Sequence, residues 1–99
     1  QIHMKEIIIN PIVGDFAENK DAASRIRIES IIPAVQAGDD VVLDFGEVDS
    51  VTQSFIHALI SDLIRKYGGE VLDHVLFKNC NENVRKVIEI VVEYMQESE

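Results

Sequence analysis

Tryptophan is absent from the 99 residues, and there are only one cysteine, two prolines and five glycines. One cysteine closes no intramolecular disulfide, which excludes the stapled scaffolds of small secreted domains and favours a reducing cytoplasm. Scarce proline and glycine, beside 46% hydrophobic residues, exclude collagen-like and disordered chains. No apolar run approaches the roughly 20 residues of a membrane span, and no basic start leads into an apolar signal segment. Positive charge is short as well: nine basic residues face eighteen acidic ones, a net charge of −9, and both halves of the chain are acidic. Lys and Arg never occur in runs longer than two. Nucleic acid and anionic lipid are bound largely through clustered cations, so both are excluded as partners, and a protein or neutral ligand is expected.

What is there reads as one domain over residues 4–99, with Gln1-Ile2-His3 taken as an expression scar ahead of Met4. Three strand signals alternate with three helix signals. The first strand covers residues 4–10, where Ile7-Ile8-Ile9 is β-branched and Pro11 ends it by withholding a ladder donor. Residues 13–15 read as turn or edge. Over residues 21–37, Ala22, Ile28, Ile32 and Val35 leave a helical stripe, widened by Ile26 and Ile31. Pro33 interrupts it, so a kink or two short helices are expected, with Gly38 past the end. Residues 41–45, nearly all apolar and too short for a helix, suit a central parallel strand buried on both faces. Ile56, Leu59, Ile60, Leu63, Ile64 and Tyr67 keep helical spacing, with Thr52 as N-cap and Gly68-Gly69 as the stop. Residues 74–78 read as the third strand. Asn79 or Asn81 then caps a helix whose face is Val84, Val87, Ile88, Val91 and Met95, with Glu82 and Lys86 paired on its outside. The fold class is therefore α/β: a single small domain with a mostly parallel sheet.

Function in such sheets gathers at the carboxyl ends of strands, here residues 44–54 and 79–81. Asp44 sits in an apolar strand, where an unpaired carboxylate is costly, so Arg25 or the amides of the next loop must satisfy it. Glu47 and Asp49 read as solvated loop residues. Ser54 falls in the first turn of the second helix, where free N–H groups and the dipole favour added negative charge; an ordinary first-turn serine is the plainer reading. Ser54 and His57 lie i, i+3 apart, but the glycines of a nucleophile elbow are missing, so a hydrolase is not expected. His57 lies off the apolar stripe and reads as exposed. His74 and Cys80 complete no metal-ligand set, and Cys80 reads as a buried, inert thiol. No phosphate loop, dinucleotide fingerprint or carboxylate pair occurs, so the expectation is a non-enzyme without metal or cofactor.

Taken in order, Val41-Val42-Leu43-Asp44-Phe45-Gly46-Glu47-Val48, then Val51-Thr52-Gln53-Ser54-Phe55-Ile56, resemble the centre of a STAS domain, the fold of anti-sigma factor antagonists. Val75-Leu76-Phe77-Lys78-Asn79 and Asn83-Val84-Arg85-Lys86-Val87-Ile88 continue the resemblance, which spans roughly residues 39–95. Ser24-Arg25 and Gln53-Ser54-Phe55, opening the first two helices, are similar to the STAS-like subgroup of uncharacterised function. The resemblance implies a bacterial regulatory module. Its protein partner would be a histidine-kinase-like ATPase or an anti-sigma-type protein, bound through Asp44, Asp49, Thr52, Gln53, Ser54, Phe55 and His57. It also implies Ser54 as phosphoacceptor, with phosphorylation releasing the partner. A phosphoserine adds about −1.5 to −2 charges, and one unit pair about 5 Å apart at an effective dielectric near 20 is worth roughly 3 kcal/mol, enough for a switch. Antagonists carry Asp-Ser-Ser-Gly where this chain has Thr52-Gln53-Ser54-Phe55, which implies a different partner or mode of binding. A small-ligand or nucleotide sensor, using a pocket at the strand ends and never phosphorylated, is the alternative.

Overall fold

The computed structural model describes residues 3–97. Of the expected scar, Gln1 and Ile2 lie outside the described residues, whereas the His3 carbonyl accepts from Asp40 N–H. Three parallel strands form the main sheet in the order β1 (Met4–Ile8), β3 (Asp40–Asp44), β5 (Val75–Lys78). A two-residue parallel pair, β2 (Phe16–Ala17) with β4 (Ser50–Val51), escaped the sequence reading because two residues carry no periodicity. The first strand, expected to run to Asn10, ends at Ile8, and Asn10 opens a helical turn, α1 (Asn10–Val13), in which Pro11 occupies the first turn, where its missing N–H costs nothing.

Strand order rises steadily from β1 to β3 to β5, and parallel crossovers are right-handed, so both connections lay their helices on one face. Burial follows that geometry. On the helix side Ile7, Val41, Leu43 and Val75 are buried, while on the other face Met4, Ile8 and Leu76 are exposed. β3 is central and buried on both faces as expected, through Val41 and Leu43 on the helix side and Val42 on the other, although among the described residues helices cover only one face of the sheet. On the open face Val42 lies in register with Glu6 and Leu76, where Lys78 reaches across β3 to Glu6 at 3.0 Å.

The first helical segment runs as α2 (Lys20–Ile26), a π-helical turn (Arg27–Ile31) and α3 (Ile32–Gln36). Pro33 lacks an N–H and its ring would meet the carbonyl four residues back; the widened turn just before it relieves both, and Ile32 N–H donates to the Arg27 carbonyl five residues back. The turn also shifts the phase. Ile26 and Ile31, five apart, share the buried face with Ala23 and Ala34, while Ile28, expected in the stripe, is 56% exposed. A strict 3.6 period drew the wrong line because the segment carries one extra residue per turn at this point.

α4 (Gln53–Tyr67) begins at Thr52, whose Oγ1 accepts from Phe55 N–H at 3.0 Å, and ends at Gly68 with φ +79°, as expected. A 3₁₀ turn (Gly69–His74) leads into β5. α5 (Glu82–Glu97) is capped by Asn81, whose Oδ1 accepts from Val84 N–H at 2.9 Å, and buries Val84, Ile88, Val91 and Met95. The expected Glu82–Lys86 pair is corrected: among the described residues the i, i+4 ion pair of this helix is Arg85–Glu89, at 3.8 Å.

The π turn yields a direct comparison. Ile31→Ala should destabilise the chain by about 2–5 kcal/mol through a cavity, whereas Ile28→Ala should stay within about 0.5 kcal/mol as an exposed site. Urea unfolding checks both, and equal losses would restore the regular stripe.

Candidate functional site

The carboxyl ends of the three main strands are joined by side-chain amides. Asp44 closes β3, and its Oδ1 accepts from Gly46 N–H at 2.8 Å and from Asn79 Nδ2 at 3.1 Å. These donors, helped by the nearby Lys78 cation, hold the Asp44 carboxyl below its usual range, with the Gly46 amide the largest influence. Arg25 is exposed on α2 and is no partner of Asp44, so that pairing is corrected in favour of the loop amide. The arginine that does reach across from this segment is Arg27, which donates to the Ala58 carbonyl and lies 3.3 Å from Asp62 on α4.

Val48 N–H closes a tight turn on the Phe45 carbonyl at 3.1 Å, with Glu47 in the left-handed region at φ +66°. Gly46 leaves room for that carboxylate: a Cβ there would stand 3.0 Å from Asp44 Oδ1 and press on it. Asn79 adopts φ +59°, a conformation that Asn tolerates better than most residues. Asn10 Nδ2 donates to the Glu47 carbonyl at 2.9 Å, and Asn81 Nδ2 to the Asp49 carbonyl at 2.9 Å. Three asparagines thus tie the loop after β3 to the segments after β1 and β5, a role the sequence reading did not assign.

Ser54 lies beside a different feature. It is exposed in the first turn of α4, where it lines a groove of 450 Å³ together with Gln53, His57, Lys20 and the α5 residues Ile90 and Tyr94. Ile90 and Tyr94 are 50% and 62% exposed, one turn apart on the face of α5 that turns away from the core. Two apolar side chains at i, i+4 outside the core stripe were the signal by which the sequence could have revealed this groove. The expected partner-binding residues therefore separate. Gln53, Ser54 and His57 come together in the groove; Asp44 belongs to the strand-end cluster; Asp49 is exposed on the loop; Thr52 is the cap. Phe55 is fully buried, so its assignment to partner binding is corrected to core packing, set by its place on the inward side of the first turn. His57, expected to be exposed, is half-buried at the groove wall.

Among the described residues no hydrogen bond joins Ser54 to His57, and no group of three His, Cys, Asp or Glu residues is arranged to hold a metal. Cys80 is half-buried, and burial pushes its thiol above its usual value. A family model described as a STAS-like domain of unknown function (DUF4325) matches residues 22–85. The chain belongs to this family. The match takes in α2 from Ala22 onward, which the sequence resemblance had left outside its continuous span, and ends in the first turn of α5. No curated protein and no solved structure matches the chain. Among the described residues no helix of this STAS-like domain is long and apolar enough to cross a membrane.

The depressed pKa of Asp44 carries a pH signature. A carboxyl whose pKa falls on folding stabilises the native state above its unfolded pKa, here near the usual 3.8, and loses that contribution as the pH falls through the folded value. The difference in Tm between wild type and Asp44→Asn should therefore be full at pH 6 and narrow below about pH 4. A gap that stays constant down to pH 2 would show that the charge on Asp44 is not what holds the loop.

Proposed function

We propose that this STAS-like domain is a non-catalytic regulatory module that docks a protein partner on the first turn of α4 and the adjoining groove, with phosphate on Ser54 governing docking. The partner class is a histidine-kinase-like ATPase or an anti-sigma-type protein, and the single cysteine suits a cytoplasmic setting. One observation carries the reading: an exposed hydroxyl stands in the first turn of a well-capped helix, at a groove walled by Lys20 and His57 on one side and by Ile90 and Tyr94 on the other.

The chemistry follows from that wall. A partner that covers Ile90 and Tyr94 gains apolar burial, and a carboxylate on it can meet Lys20. Phosphate on Ser54 competes for the same cation, enjoys the positive end of the α4 dipole, and sets about −1.5 to −2 charges against the partner's acid. Docking weakens without any change of fold. A second reading, binding of a small neutral ligand or nucleotide, draws on the groove volume of 450 Å³, which lies within the roughly 300–1,000 Å³ of ligand pockets. The groove lies on the α4–α5 flank, not at the strand ends where the sequence reading set that pocket.

The test compares wild type, Ser54→Ala and Ser54→Asp after purification with partners from native cells. Intact-mass analysis should show one phosphate on wild type and none on Ser54→Ala. Ser54→Asp should bind the recovered partner about tenfold to a hundredfold more weakly. Equal binding by Ser54→Asp and wild type, with no phosphate on either, removes the switch. Saturable thermal stabilisation by a nucleotide or metabolite would then favour the second reading.

A further inference from the structure

β5 is an edge strand: β3 pairs along one side and, among the described residues, no strand pairs along the other. The hydrogen bonds show which groups face outward. Phe45 N–H donates to the Lys78 carbonyl at 2.9 Å, so Lys78 turns its backbone groups toward β3. Backbone groups of successive strand residues alternate in direction, so Leu76 does the same, while Val75 and Phe77 present theirs to the free edge. The Val75 N–H is taken by the Leu72 carbonyl. Among the described residues, the Val75 carbonyl and both backbone groups of Phe77 are left as an open ladder.

Beside this edge a groove separates β5 from α5. One hollow of 510 Å³ and another of 290 Å³ share Val75, Phe77, Ile88 and Glu89, so they form a single trough along the strand. Its floor is apolar, through Phe77, Ile88 and Val92, and its α5 rim carries Arg85, Glu89 and Glu93, of which Arg85 pairs with Glu89 at 3.8 Å, so the rim is net acidic with Glu93 the acid outside that pair. At four residues, with Lys78 at its end, β5 is built to resist indiscriminate pairing, so any strand that adds here must be selected by the trough. A second copy is a poor occupant. Self-pairing of β5 would bring together two chains that each carry −9.

We infer that the β5 edge and the α5 trough are a docking site for an extended segment of a basic protein, which adds to the sheet as a fourth main strand. Its backbone completes the ladder at Val75 and Phe77. One side chain seats on Phe77 and Ile88, and a Lys or Arg two residues away, on the same side of the added strand, reaches Glu89 and Glu93. This surface is separate from the Ser54 groove and does not depend on the function proposed there.

The experiment titrates the full chain with capped octapeptides that alternate Val or Ile with Thr and place Lys or Arg two residues from a central Phe, beside a matched set carrying Glu. Saturable binding by the basic set is expected, with amide exchange at Phe77 slowed about tenfold or more. N-methylation of the alternate peptide amides that face β5 should abolish binding, while methylation of the other set should leave it. Glu89→Lys combined with Glu93→Lys should weaken binding about tenfold. The proposal is overturned if no basic peptide binds, if binding leaves Phe77 exchange unchanged, or if the acidic set binds equally well. A chain that is already dimeric, with its Phe77 amide protected, overturns it too.

Discussion

Parallel pairing of β3 with both β1 and β5 is the constraint on which the rest of the molecule depends. It sends every crossover across the same face of the sheet, and it gathers the ends of all three strands on one side of the molecule. Because the strand order never reverses, there is no crevice of the kind that opens where neighbouring crossovers diverge. The strand ends are instead closed over by Asn10, Asn79 and Asn81, whose amides tie neighbouring loops together. The exposed hollows move to the flanks, between α4 and α5 and between β5 and α5.

This layout divides the work among the helices. α4 is buried along its length through Phe55, Ile56, Leu59, Ile60, Leu63 and Ile64, so only its first turn and one side remain available to a partner. α5 sits over the sheet margin and keeps both of its sides partly open, one toward Ser54 and the other toward the β5 edge. Arg27, only 12% exposed, fastens the π turn to α4 through the Ala58 carbonyl and Asp62. That contact joins the first crossover to the helix that carries Ser54.

Much of this was legible in the chain. The apolar run of residues 41–45 could belong only to a central strand, and the spacing from Ile56 to Ile64, with Thr52 before it and Gly68 after, marked α4 at both ends. These elements were readable because the residues that bury them repeat at one period and their caps are local. The first helical segment departs from its pattern for the opposite reason: the π turn breaks the period over Arg27–Ile31, and a pattern with one fixed period assigns Ile28 to the wrong side. At the site, Ser54 and Gln53 were placed correctly at the helix start, but Phe55 was not. Its burial depends on which way the first turn of α4 faces the sheet, and that angle is absent from a list of neighbours along the chain.

Residue order alone determined that this is an acidic, single-cysteine α/β chain, with a central parallel strand and a capped helix bearing Ser54 at its start; composition, periodicity and capping chemistry act over a few residues and need no partner element. Tertiary structure decided that Asn79 joins the Gly46 amide on Asp44, which of the expected contact residues share a surface, and that one face of the sheet stays open. Those outcomes depend on groups more than thirty residues apart, such as Asp44 and Asn79. Only the packed crossovers bring such groups within hydrogen-bond reach.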